Sequence, residues 1–180
     1  MDKRQVRLSK FLSCVLRHRP EAIGVALDAA GWASTAALVE GAIRHGWRLT
    51  LADIERVVAE NDKRRFALSP DKTRIRATHG HTVPVDLGLT AATPPAQLFH
   101  GTATRYLKPI LHQGLVRGRR RHVHLSVDQE TARRVGIRHG VPVVLRVASE
   151  QMHRDGFPFF CSESGIWLTE HVPPRYLTRL

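Results

Sequence analysis

The feature that most constrains the fold is a change of hydrophobic period near residue 61. Before it, apolar residues recur at helical spacing: Leu8, Phe11, Leu12, Val15 and Leu16 form one stripe, and Pro20 closes that segment. A second helix is predicted over Thr35 to His45, with Leu38, Val39, Ala42 and Ile43 on one face and Gly46 as its stop. A third is predicted over Leu51 to Glu60, capped by Thr50 with Asp53 three residues on, in the pattern of a capping box. After Asn61 the period falls to two. RRFALS and TRIRAT alternate, and Ser69, Pro70 and Asp71 lie where a hairpin turn would. Three helices followed by a hairpin is the order of a winged-helix module, a common carrier of nucleic-acid contacts.

Residues 83–97, VPVDLGLTAATPPAQ, mix Pro, Gly, Thr and Ala without helical periodicity. They are expected to link a lobe of residues 1–82 to a second of residues 98–180. In the second lobe QLFHGT reads as a strand, Tyr106 to Gln113 as a helix, and HVHLS as a strand. Asp128 is expected to cap a helix running to about Arg138. VPVVLRV, FPFFCS and GIWLT read as further strands, so the expected fold class is α+β.

The 28 basic residues against 16 acidic ones give a net charge of +12, a field that attracts polyanions, nucleic acid first among them. Only five of the 28 are lysines, and codon bias in a GC-rich genome explains such an excess of arginine as readily as phosphate recognition does. Individually placed arginines are therefore more informative than the total. Cys14 and Cys161 have no ligand spacing and read as buried thiols. No apolar run is long enough to cross a bilayer, and MDKRQVRLSKF lacks the apolar block of a secretory signal, so a cytoplasmic protein is expected.

Four stretches could carry chemistry. Arg17, His18 and Arg19 end the first helix, where pairing of cations with the helix C-terminus would also place them. NDKRRF, residues 61–66, is a basic strand start or an ordinary charged turn. In FHGT, His100 and Thr102 flank Gly101, a residue that lets another backbone or a ligand approach closely. In GRRRHVHLS, strand alternation puts His122, His124 and Ser126 on one face and Val123, Leu125 and Val127 on the other. A metal site would need a third ligand, and no carboxylate has matching spacing, so none is expected. His100-Gly101-Thr102 and His124-Leu125-Ser126 also fit the His-x-Thr/Ser pattern of cofactor-free two-histidine phosphoesterases. A winged-helix regulator that binds nucleic acid without turnover is a further alternative.

Taken in order, LSKFLSCVLRHRP, NDKRRFALS, LFHGT, RRHVHLS and SGIWLTEHVPPRY resemble the NAD-dependent RNA 2′-phosphotransferase family, and the resemblance spans nearly the whole chain. It implies an N-terminal winged-helix-like RNA lobe and a C-terminal lobe of ADP-ribosyltransferase type, with the RNA phosphate held in the cleft between them. It implies that an internal 2′-phosphate of tRNA-like RNA attacks NAD, that nicotinamide leaves, and that ADP-ribosylated RNA then yields ADP-ribose 1″,2″-cyclic phosphate and a 2′-hydroxyl. Arg17, His18, Arg65 and Arg120 would be the catalytic set, Arg65 rather than Arg64 because it directly precedes the aromatic residue. His100, Gly101, Thr102, His124 and Ser126 would line the NAD pocket. NAD would be held without a G-x-G-x-x-G turn, which the chain lacks. Ser164 stands where the family usually has Asn, and Glu163 is given no catalytic role.

Overall fold

The computed structural model describes residues 2–61 and 64–180, so Asp62 and Lys63 of the NDKRRF stretch lie outside the described residues. The chain divides into two compact units, residues 1–88 and 89–180. Helices and small antiparallel sheets are mixed in both, which makes the fold α+β.

In the first unit, helix α1 spans Lys3–Arg17, strand β1 Trp32–Ser34, α2 Thr35–Arg44, α3 Leu51–Ala59, β2 Phe66–Leu68 and β3 Arg74–Ala77. The apolar stripe of α1 is buried at Leu8, Phe11, Leu12, Val15 and Leu16, against Leu38, Ile54 and Ile75. Each helix begins on a side-chain cap: Asp2 accepts from the Gln5 amide, Ser34 from Ala37, and Thr50 from Asp53, the first and last as full capping boxes. The hairpin forms as the alternation predicts. At its turn Asp71 accepts from Ser69 and Thr73, bonds that hold its carboxyl down at about 2. The third strand, β1, was not legible; it pairs with the outer edge of β3, giving the order β1-β3-β2.

The second unit contains β4 Leu98–Ala103, α4 Thr104–Gln113, β5 Leu115–Val116, β6 Val123–Leu125, α5 Gln129–Ile137 and β7 Pro142–Val147. Helix α6 Ser149–Arg154, β8 Phe160–Cys161, β9 Trp167–Thr169, β10 His171–Val172 and β11 Leu177–Arg179 complete it. Two three-stranded sheets, β11-β7-β4 and β6-β9-β8, carry a core of Leu98, Leu125, Leu145, Val147, Met152 and Phe159, and a short pair, β10-β5, lies beside them. Reciprocal backbone bonds of 2.8 Å between Phe99 and Ser126 bridge β4 to β6.

The stretch 83–97 is itself shared between the units. Val85 is buried and Asp86 donates to Ala29, whereas Ala92 donates to Phe159 and Leu98 already belongs to β4. The division falls at Gly88 and Leu89. The cysteines correct an expectation: Cys14 and Cys161 are both exposed free thiols. Cys14 lies off the apolar stripe of α1, and Cys161 ends a two-residue strand, so neither periodicity nor pairing draws it into a core.

Candidate phosphate and nucleotide site

In the first unit, the end of α1 meets the start of the hairpin. Arg17 occupies the last turn of α1, half-buried, and its guanidinium Nη2 lies 3.5 Å from the Arg65 carbonyl. The next residue, His18, is the C-cap, and its Nδ1 sits 3.1 Å from the Thr82 hydroxyl. The Thr82 amide in turn donates to the Arg17 carbonyl at 2.9 Å, so one residue caps the helix end through its amide and meets the imidazole through its hydroxyl. Arg65 extends the hairpin ladder, since its carbonyl accepts from the Thr78 amide at 3.0 Å. Its neighbour Arg64 has a left-handed φ of 40° and is exposed, its carbonyl held by the Thr78 hydroxyl. The structure thus places the Arg17 guanidinium beside the Arg65 backbone, with His18 next along the chain against Thr82.

Around them lies a segment that sequence reasoning passed over, THGHT at residues 78–82. His79 and His81 are buried, the Thr78 hydroxyl is 3.0 Å from His79 Nδ1, and the Gly80 Cα faces the Arg17 guanidinium. Its His-Gly pair mirrors the HGT that drew attention at residue 100, and that was the available signal.

In the second unit, alternation along β4 divides the expected His100-Gly101-Thr102 trio. Leu98, His100 and Thr102 share the face of their partners Val147, Leu145 and Val143, whereas Gly101 faces α5. The backbone that approaches Gly101 is that of Ala132: a Cβ added there would stand 1.6 Å from the Ala132 carbonyl oxygen. Gly136 repeats the device from the helix side, where an added Cβ would stand 2.6 Å from the Thr102 carbonyl oxygen. Two facing glycines thus let helix and strand backbones touch.

His100 donates from Nδ1 to the His124 carbonyl at 3.0 Å, which fixes Nε2 as its acceptor atom in the neutral ring. Burial, and then the charge of Arg120, push its pKa below the ordinary histidine value, the His124 bond opposing them. In a two-histidine acid–base pair a neutral His100 would suit the base, and the other ring would have to carry the proton. His124 Nδ1 lies 3.1 Å from the His122 carbonyl, and β6 buries Val123 and Leu125 as alternation predicts. Val127, expected with them, is exposed beyond the strand end, because Ser126 has already turned to pair with Phe99. His122 tilts against Phe160 at 5.6 Å between ring centroids, and burial lowers its pKa too. Arg120 lies in the exposed turn before β6, where partial desolvation of its guanidinium lowers its pKa. Ser164 shares a hydrogen bond of 2.9 Å with Ser162.

A guanidinium and an imidazole at a helix end, with the Arg65 backbone against the guanidinium, suit an anionic group such as a phosphate. The family model described as "RNA 2'-phosphotransferase, Tpt1 / KptA family" matches residues 3–171, and the chain belongs to that family. Relatives named "Probable RNA 2'-phosphotransferase" are similar over more than nine-tenths of their own length. The one from Hahella chejuensis is 53% identical over 180 residues, covering 100% of this chain and 97% of its own. That from Agrobacterium fabrum is 56% identical over 170 residues, 94% and 91% of the two chains. That from Streptomyces coelicolor is 53% identical over 176 residues, 98% and 96%. Among the described residues no helix is long and apolar enough to cross a membrane.

Proposed function

We propose that this protein removes an internal 2′-phosphate from tRNA-like RNA by transferring it to NAD. On this reading the first unit is a winged-helix-like RNA lobe and the second an ADP-ribosyltransferase-like NAD lobe, working in the cytoplasm. The observation that carries the reading is the meeting of the Arg17–His18 helix end with Arg65, 48 positions from Arg17 in sequence, in a member of this family.

The chemistry assigns each group a task. NAD, when bound, supplies an electrophilic anomeric carbon with a neutral leaving group, nicotinamide, and ends as ADP-ribose 1″,2″-cyclic phosphate. The RNA phosphate is already an anion, so attack needs position more than a base; Arg17 and Arg65 hold it. Departure of the RNA 2′-oxygen gathers charge on a transferring phosphoryl group, where fixed guanidinium groups, Arg120 among them, stabilise the transition state more than the ground state. His18, steadied by the Thr82 hydroxyl, moves the proton in that second step. The imidazoles and hydroxyls of His100, Thr102, His124 and Ser126 suit the polar edges of a dinucleotide, with Arg120 close enough to perturb His100. Gly101 serves this pocket indirectly, by seating α5 against β4.

The test is an incubation of purified protein with a 2′-phosphorylated oligonucleotide, with and without NAD. Conversion to the 2′-hydroxyl form with one nicotinamide released per phosphate removed is expected. No turnover with NAD, or equal turnover without it, would overturn the proposal.

A further inference from the structure

The hairpin sheet of the first unit has two unlike faces. Ala33, Phe66, Ile75 and Ala77 face the core and are buried. The pairings Trp32 with Arg76, Ser34 with Arg74 and Ala67 with Arg76 put those five residues together on the other face. Arg65 joins them by alternation from Ala67, and it stands opposite Thr78 at the end of the ladder. Trp32 is half-buried on the edge strand β1, with the Arg76 guanidinium 4.7 Å and that of Arg74 5.4 Å from its ring centroid. Asp28 is the acidic neighbour, ion-paired with Arg74 at 3.9 Å.

An aromatic ring flanked by two guanidinium groups offers a base a surface to stack on and its phosphates positive charge at the same place. The strand geometry sets its reach. Trp32 lies two residues along and two strands across from Arg65, about 12 Å at ~3.3 Å per residue and ~4.8 Å per strand. That is roughly three to four nucleotide steps of a stacked strand at ~3.4 Å each.

We infer that this sheet face is a binding platform for single-stranded RNA, and that it receives the nucleotides flanking the phosphate held at Arg65, with a base stacked on Trp32 and phosphates on Arg74 and Arg76. The inference deepens the proposed function and rests on the reading that RNA is the substrate. Single-stranded RNA is the occupant the face favours because an aromatic ring among the arginines of a basic sheet face can stack only on an unpaired base.

The experiment has two arms on the full-length protein. In the first, a ten-nucleotide single-stranded RNA without a 2′-phosphate is titrated without NAD, so its outcome is independent of phosphotransfer. Trp32→Ala should weaken binding about tenfold. Since Trp32 is half-buried and its loss can loosen the sheet, Arg74→Gln/Arg76→Gln, which keeps the ring, is measured beside it. That variant should lower the salt slope of log Kd by about 0.7 per arginine. In the second arm, kcat/KM is compared for a 2′-phosphorylated dinucleotide and a ten-nucleotide RNA with the same reactive step. The advantage of the longer RNA should collapse about tenfold in both variants. Unchanged binding and salt slope in folded variants, or equal affinity for a duplex of the same length, would overturn the platform. Loss of NAD-dependent turnover in the unaltered protein would overturn the phosphotransfer reading while leaving the first arm to decide the platform.

Discussion

Gly101→Ala tests how the second unit is built. The new Cβ would lie 1.6 Å from the Ala132 carbonyl oxygen and 2.5 Å from its carbon, and both atoms are backbone, so no rotamer change relieves the clash. Reaching an ordinary contact of 3.4 Å demands that α5 retreat by about 1.8 Å. A gap of even 0.5–1 Å forfeits about a quarter to a half of each dispersion well along the helix, and forced overpacking alone costs about 1–3 kcal/mol. The sum is a loss of about 3–5 kcal/mol, a large part of the ~5–15 kcal/mol that holds a domain folded. Urea denaturation followed by circular dichroism measures it, with hydrogen exchange of the α5 amides as the local readout. A variant within about 1 kcal/mol of the unaltered protein, with α5 amides as protected as before, would refute this account. A glycine needed only to admit a ligand would give that result and a raised KM.

Three further perturbations follow from named groups. His100 and His122 both titrate below their ordinary value of 6.5 when folded, so as pH falls below about 6.5 the unfolded chain takes up protons first and stability drops, by up to about 1.4 kcal/mol per pH unit per group. Denaturation midpoints between pH 7.5 and 5 should show that decline, and His100→Gln should flatten its share; an equally steep decline in the variant would remove His100 from the cause. Arg120→Ala should keep the fold, lower turnover about 100- to 1,000-fold, and let ADP-ribosylated RNA accumulate; accumulation of unreacted RNA instead would move Arg120 to the first step or to binding. Thr50→Ala should cost about 1 kcal/mol by removing the cap of α3, read as a lower denaturation midpoint with kcat/KM unchanged.

What was legible in the sequence was whatever repeats locally. The stripe of α1, the caps at Thr50 and Asp128 and the alternation of RRFALS and TRIRAT all rest on neighbours within a few residues, and each appears as read. Strands β1, β5, β10 and β11 are two or three residues long, too short for a period, and exist because a partner strand pairs with them. The same division holds at the candidate site. Arg17, His18 and Arg65 could be singled out from their motifs, but their convergence through the Arg65 carbonyl is tertiary. Nothing near Gly101 announces that Ala132, thirty-one positions on, supplies the backbone that requires it. Thr82, which steadies His18, belongs to a segment whose charge and hydropathy are unremarkable, so only its repeated His-Gly pair could have marked it.

On the proposed chemistry the phosphate is transferred to NAD and not to water. A 2′-phosphorylated RNA labelled with ³²P at that phosphate, incubated with the protein and NAD in ¹⁸O-water, separates the two outcomes. The ³²P is expected in an ADP-ribose product, with nicotinamide released in equal amount and no ¹⁸O in the phosphate. Labelled inorganic phosphate carrying ¹⁸O, formed at the same rate without NAD, would contradict it.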